Sequence, residues 1–341
     1  PARTCTVEES YDYFFPEWRQ KPGWPVGGGI SHLTGEFYYP EATCGHTGAG
    51  DLFVYRADKL LTDFPDLPGL YYDICEGRTC WNTLHGCGGV DAFGKEYGDS
   101  NMMTHRDYFI RIKRVVDKHG KDKVLILHAH NRFVPFCHGL GDYWFPGEQY
   151  SETLITNMEH FFCENIPLVE WQTAYSSDVH GPGLIFSALY VSTMWRYKLT
   201  TDYRAPKYAL SALTPVLLHD LGMTNSYVNH PTVEHWWIIK HDTDLASARF
   251  HGYWFSQAVK SKSDKVYVSW YDWKKPSPYK RLLVVGNMGR TEQPAALEID
   301  EKALGIDGAK VKYYDLWEDK EITDLSTLKV GGNNFKLIGI K

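Results

Sequence analysis

Several apolar runs in this chain turn acidic or aromatic only at their C-terminal ends. Gly69-Leu70-Tyr71-Tyr72-Asp73 is one, and Val124-Leu125-Ile126-Leu127-His128-Ala129-His130 is a second. The second is followed closely by Asp142-Tyr143-Trp144-Phe145-Pro146-Gly147-Glu148, and Leu168-Val169-Glu170-Trp171-Gln172 is a third run. Buried strands that become polar at their tips are how an α/β barrel places chemistry at its mouth. Alternation sorts the side chains by face: Val124, Ile126, His128 and His130 share one side of their strand, and Leu125, Leu127 and Ala129 the other. In 69–73, Leu70 and Tyr72 face one way and Tyr71 and Asp73 the other, with Asp73 at the tip.

Between these runs the pattern has helical period. Helices are predicted at 57–64, stopped by Pro65, and at 104–119, with Thr104 as N-cap and Gly120 as terminator. Further helices are expected at 151–165 behind Ser151, near 184–197, at 205–221 and around 242–260, with a short strand near 226–228. Strand and helix in alternation argue for a parallel sheet with crossover helices. After residue 262 the chain reads as strands, at 265–271, 281–286, 295–299, 310–316 and 335–340, with Asp307-Gly308 and Gly331-Gly332-Asn333-Asn334 as turns. The expected fold class is therefore α/β: a (β/α)8 TIM-type barrel over residues 1–261, followed by a small antiparallel β-sandwich over 262–341. A complete barrel needs about eight strands, and fewer are legible before residue 262. Either the first strands lie within residues 1–56, or the barrel is incomplete at its N-terminus and the chain is the C-terminal part of a longer polypeptide.

Composition adds one strong feature. Aromatic residues make up 15% of the chain, with 12 Trp and 23 Tyr, and Trp18, Trp24, Trp81 and Trp144 lie in Gly- and Pro-rich stretches where rings serve either as binding platforms or as packing. A net charge of -6 gives no reason to expect nucleic acid or an anionic membrane as partner. No run is long and apolar enough to insert in a membrane. The chain starts at Pro1 without a signal-peptide pattern, as a processed product or a fragment would. Seven cysteines form no regular framework; Cys75, Cys80 and Cys87 cluster around one loop, and a Cys80–Cys87 disulfide is one reading of that spacing. Gly45-His46-Thr47-Gly48-Ala49-Gly50 lacks the Lys-Ser/Thr ending of a phosphate-binding loop.

Glycoside cleavage needs two carboxyl groups flanking the scissile bond, one held protonated and one ionised. Asp73 is the candidate for the ionised group, as nucleophile or stabiliser. Glu148, beside Trp144, Phe145 and Pro146, is the candidate acid, and Glu170 is its substitute. The structural alternatives are that Asp73 caps a turn, Glu148 opens a helix and Glu170 pairs with an arginine. His128-x-His130 has the spacing of two metal ligands on a strand, but His180, His219, His230 and His241 complete no recognisable set. The expectation is that no metal or cofactor is bound, and that His128, His130 and Arg132 hydrogen-bond a sugar. His85, in the Gly-rich loop after Asp73, together with Asp142, Trp144 and Trp171 completes the substrate-binding set. A nucleophilic Cys87 beside His85 lacks any further support.

Tyr71-Tyr72-Asp73, Cys80-x-Asn82, His85-Gly86-Cys87-Gly88, His128-x-His130, and Asp142 with Gly147-Glu148 together resemble a set of bacterial glycoside hydrolase proteins similar to family 123. The resemblance covers residues 65–341. It implies a (β/α)8 catalytic domain with a C-terminal β-sandwich, secreted or periplasmic, taking part in polysaccharide degradation. Family 123 enzymes use an adjacent Asp-Glu pair; here the pair Asp300-Glu301 falls in the expected sandwich, so their hexosaminidase chemistry is not carried over. An Asp closing a Tyr-rich strand is also similar to the α-galactosidase clan, where that Asp is the nucleophile. The resulting expectation is a glycoside hydrolase acting on an extracellular oligo- or polysaccharide. The alternatives are a non-catalytic glycan-binding protein, a metal-dependent hydrolase using His128 and His130, or a polysaccharide lyase.

Overall fold

The computed structural model describes residues 9–21, 29–30, 35, 37–38, 43–73, 75, 77–128, 133–153, 161–176, 181–275 and 277–341. They fall into two compact units, residues 1–145 and 146–341.

In the first unit, helix α1 (Gly48–Asp63) starts earlier than its apolar pattern suggests, because Thr47 caps it by accepting from the Ala49 amide at 3.3 Å. Strand β1 (Gly69–Tyr72) leads through a long loop to helix α2 (Met102–His119), then to β2 (Val124–His128) and β3 (Tyr143–Phe145). The three strands are parallel, in the order β1-β2-β3, with Tyr72 opposite Leu127 and His128 opposite Phe145. The parallel α/β reading holds here. A Cβ on Gly69 would lie 1.9 Å from the Val124 carbonyl oxygen, so only glycine lets β1 start this close to β2. Leu125, Leu127, Phe109, Ile112 and Val116 are fully buried together, with Tyr72 packed against them, which is the helix-facing side of the sheet. Tyr71, Asp73 and His128 take the other side, as alternation predicts. Helix α2 begins at Met102 rather than behind Thr104. Its cap, Asn101, sits in the left-handed region (φ 55°) and makes no side-chain cap bond, because its amide is engaged with buried cysteines instead.

In the second unit, a 3-10 turn (Glu148–Glu152) precedes helix α3 (Leu168–Ala174). The run 168–172, expected as a strand, thus lies in a helix. A short apolar run fits either period; Pro167 sets the helix start, and Trp171 and Tyr175 fall one turn apart on its buried side. Of the helix expected at 151–165, Thr153 and Phe162–Asn165 are α-helical among the described residues, and Ser151 and Glu152 end the 3-10 turn. Strand β4 (Gly183–Phe186) pairs in parallel with β5 (Gly222–Met223), joined through a chain that includes helix α4 (Pro206–Leu218). The strand expected at 226–228 is a turn with Tyr227 at φ 67°. Helix α5 is His230–Asp242, not 242–260: Asn229 caps it on the Thr232 amide and Pro231 fits its first turn, while Asp244 at φ 51° prevents continuation.

After it, β6 (Ala248–His251), β7 (Val266–Trp273), β8 (Arg281–Asn287), β9 (Tyr313–Asp315), β10 (Lys320–Ile322) and β11 (Asn334–Ile340) form an antiparallel sheet in the order β6-β7-β8-β11-β9-β10. Val266, Val268, Trp270, Leu283, Val285, Ile338 and Ile340 bury one face. The other face receives α4: Ser269 Oγ donates to the Leu218 carbonyl at 2.7 Å, and Tyr271 Oη donates to Asp220 at 2.9 Å.

Candidate functional site

The parallel register of β1 and β2 sets Asp73 beside His128 at the strand tips. His128 Nδ1 lies 2.5 Å from Asp73 Oδ1; the imidazole is 2% exposed and the carboxylate 43%. Tyr71 Oη donates to the same oxygen at 3.3 Å. Phe145, the strand neighbour of His128, packs edge-on to Tyr71 at 5.7 Å and against His128 at 5.6 Å. A buried imidazole that donates into a half-open carboxylate fixes its orientation.

The remaining sequence-predicted residues of this unit have other surroundings. Asp142 accepts from the Leu125 amide at 2.8 Å and pairs with Lys113 at 3.0 Å, so it ties α2 to β2. Trp144 is buried edge-on to Phe133 at 5.1 Å, and Trp18 is buried against Ala49; neither is a surface platform, whereas Trp81 is partly exposed. His130, Arg132 and Trp24 lie outside the described residues.

His85 faces a group that spacing only hinted at. The ligand atoms of Cys44, Cys80, His85 and Cys87 all lie within 4.8 Å of one another, and no disulfide joins the cysteines. The Cys80–Cys87 disulfide is therefore not formed. Cys80 is held well below the usual thiol range, first by a hydrogen bond from Cys44; burial opposes this, and His85 and the amides of Asn82 and Lys21 add to it. Burial raises Cys87 to about 11. Sequence reading took Cys80 and Cys87 as neighbours but missed Cys44, which only the fold brings to them.

In the second unit, Glu148 opens its 3-10 turn behind Gly147, whose φ is 117°. A Cβ at Gly147 would lie 2.7 Å from the Ser187 carbonyl oxygen, so glycine is required to bring Glu148 to this position. Glu170 sits in the first turn of α3, not at a strand tip, and accepts a short hydrogen bond from Tyr150 Oη. Tyr150 Oη also meets Tyr175 Oη at 2.8 Å, and Gln149 Nε2 donates to Tyr175 at 2.7 Å. Burial pushes Tyr150 far up and Tyr175 to about 12, so both stay protonated donors. Trp171 is fully buried, between Phe186 at 5.1 Å and His219 at 5.7 Å, and is core rather than a sugar contact. Tyr150 and Tyr175 went unnoticed in the sequence; reading α3 as a helix would have placed Trp171 and Tyr175 on one side of it. A cleft of about 580 Å³ in this unit, lined by Leu168, Lys265, Tyr267 and Arg290, contains none of the predicted site residues.

His219 is stacked between Trp171 and Trp254, with Nδ1–H donating to the Pro215 carbonyl at 2.7 Å and Nε2 accepting from Tyr253 at 3.1 Å. Burial lowers its pKa from 6.5 to about 4. The unfolded chain therefore takes up this proton at a higher pH than the native one. Stability should fall as pH drops from about 6.5 to about 4, by about 3 kcal/mol for this group. Urea titrations across that range should show the loss, and His219→Gln should flatten it.

The model of the glycoside hydrolase 123 C-terminal domain matches residues 232–330, which contain most of α5 and most of the antiparallel sheet. The chain is similar to glycoside hydrolase family 123. The resemblance drawn from the motifs of the glycoside hydrolase 123-like proteins is thereby supported from the other end of the chain. Among solved structures, an α-amylase from Geobacillus thermoleovorans, complexed with acarbose, superposes with a TM-score of 0.50 at 10% identity, over 89% of this chain and 66% of the amylase. A pullulanase from Anoxybacillus sp. LM18-11, complexed with maltotriose, gives 0.50 at 10% identity over 94% of this chain. The chain spans 49% of the pullulanase's length. At that identity the likeness is one of fold. No curated protein matches the chain.

Proposed function

We propose that this glycoside hydrolase 123-like chain hydrolyses an oligo- or polysaccharide outside the cytoplasm through a pair of carboxyl groups. Asp73 acts as nucleophile or as stabiliser of the oxocarbenium-like transition state, and Glu148 as general acid/base, with Glu170 its substitute. The catalytic fold is a (β/α)8 barrel, and the antiparallel sheet that begins at Ala248 belongs to its appended domain.

The observation that carries this reading is the Asp73–His128–Tyr71 group at adjacent strand tips. An ionised, oriented and solvent-reachable carboxylate is what the nucleophile or stabiliser role requires. Glu170 accepts a hydrogen bond from the Tyr150 phenol, and Glu148 holds a half-buried turn position. Export to the periplasm or medium rests on the family resemblance alone, and fractionation of the native host tests it.

Turnover on a panel of glycans with defined linkages tests the rest. Glu148→Gln should lower kcat by about a hundredfold or more on natural glycosides. The loss should shrink on substrates whose leaving group needs no protonation. If Glu170→Gln shows that pattern and Glu148→Gln does not, the acid is Glu170. Tight glycan binding with no turnover of any member of the panel would make the protein a glycan-binding module instead.

A further inference from the structure

We propose that Cys44, Cys80, His85 and Cys87 form a structural zinc site that fastens the long loop after β1 to the N-terminal helix region. Four donors of the kinds zinc prefers converge here, with their ligand atoms within 4.8 Å of one another. Zinc–sulfur bonds of about 2.3 Å put tetrahedral sulfurs about 3.8 Å apart, and a sulfur and an imidazole nitrogen about 3.6 Å apart. Cys44 Sγ and Cys87 Sγ are 3.8 Å apart, and Cys80 Sγ and His85 Nε2 are 3.3 Å apart. Both distances are close to those of a tetrahedral site.

The surroundings suit thiolates. His85 Nδ1–H donates to the Glu17 carbonyl at 2.5 Å, which leaves the Nε2 lone pair facing the sulfurs, the arrangement that orients a ligating histidine. The amides of Asn82 and Lys21 hydrogen-bond Cys80, and the amide of His46 hydrogen-bonds Cys44. Asn101 Nδ2 donates to Cys44 Sγ at 3.2 Å, while its Oδ1 accepts from the Cys87 thiol at 3.0 Å. Metal binding replaces that last thiol proton; the protons still held by the thiols leave to solvent and no electron is transferred.

The site also explains a weakness of the local packing. Cys44, Cys80 and Cys87 are themselves the buried apolar members of this cluster, so hydrophobic burial alone holds little here. Asn82, fully buried, reaches across to the Pro16 and Arg19 carbonyls at 2.9 Å each, so the same loop clasps the end of the helix Glu9–Trp18. With four protein ligands and no open position, the zinc holds structure and activates no water.

The full chain, purified under reducing conditions, should carry about one zinc per molecule by elemental analysis. Cobalt should replace it with the ligand-field bands of a tetrahedral site and thiolate-to-cobalt charge transfer. Cys87→Ser and His85→Ala should lose stoichiometric metal. Asn101→Ala should weaken zinc binding by about 10- to 100-fold, while Cys163→Ala, in a buried cysteine outside the cluster, should leave it unchanged. Should the ligand variants not fold, zinc titration of the reduced, metal-stripped wild type decides. Failure of that folded apoprotein to bind zinc at micromolar concentration, retention of full zinc by each ligand variant, or a Cys44–Cys87 disulfide in the metal-free native protein would overturn the proposal.

Discussion

Asp73→Asn is expected to lower kcat by about a thousandfold or more on any glycan that the wild type turns over. The substitution keeps shape and hydrogen-bonding capacity but removes the negative charge that attacks or stabilises the anomeric carbon. His128 and Tyr71 aim their hydrogen bonds at Asp73 Oδ1, so an amide oxygen there retains most of the geometry. Because the side chain is 43% exposed, the fold should tolerate the change within about 1 kcal/mol. Activity and stability thus separate, and the kinetic loss can be read as chemistry. If Asp73 is a nucleophile, Asp73→Gly should regain turnover with added azide, which attacks from the emptied side. Full turnover by a correctly folded Asp73→Asn protein would remove Asp73 from the mechanism.

Trp171→Ala is expected to lower the unfolding free energy of the second unit by about 3–5 kcal/mol. The indole is fully buried and touches Tyr175 at 5.6 Å, Phe186 at 5.1 Å and His219 at 5.7 Å, so truncation leaves a cavity among rings that cannot close over it. The denaturant midpoint should fall with an unchanged slope. Sequence reading had put this residue in a sugar subsite; a ligand-contact role would instead weaken glycan binding and leave the midpoint in place.

Asp73 shows what a sequence pattern can carry. Its position at the end of β1, and its sharing a side with Tyr71, follow from a two-residue period that holds however the strand is packed. His128 was legible for the same reason. Glu170 shows the opposite case. A five-residue apolar run satisfies both helical and strand periods, and the choice fell to Pro167 and to the rings that receive Trp171 and Tyr175. Asp142 and Trp144 had the composition of a sugar site, yet their partners, Lys113, Leu125 and Phe133, make them structural. Nothing local distinguishes those two uses.

The sequence by itself determined the parallel α/β character of the first unit, the antiparallel strands near the C-terminus, the resemblance to family 123 and the tip position of Asp73. Each rests on periodicity or on residues close together in the chain, where geometry is nearly independent of context. Only the tertiary structure decided that Asp73 meets a buried His128, that Glu170 rides on a helix against Tyr150, and that Cys44 joins Cys80, His85 and Cys87. Those meetings join segments far apart along the chain, and they depend on how whole elements pack, which no local pattern encodes.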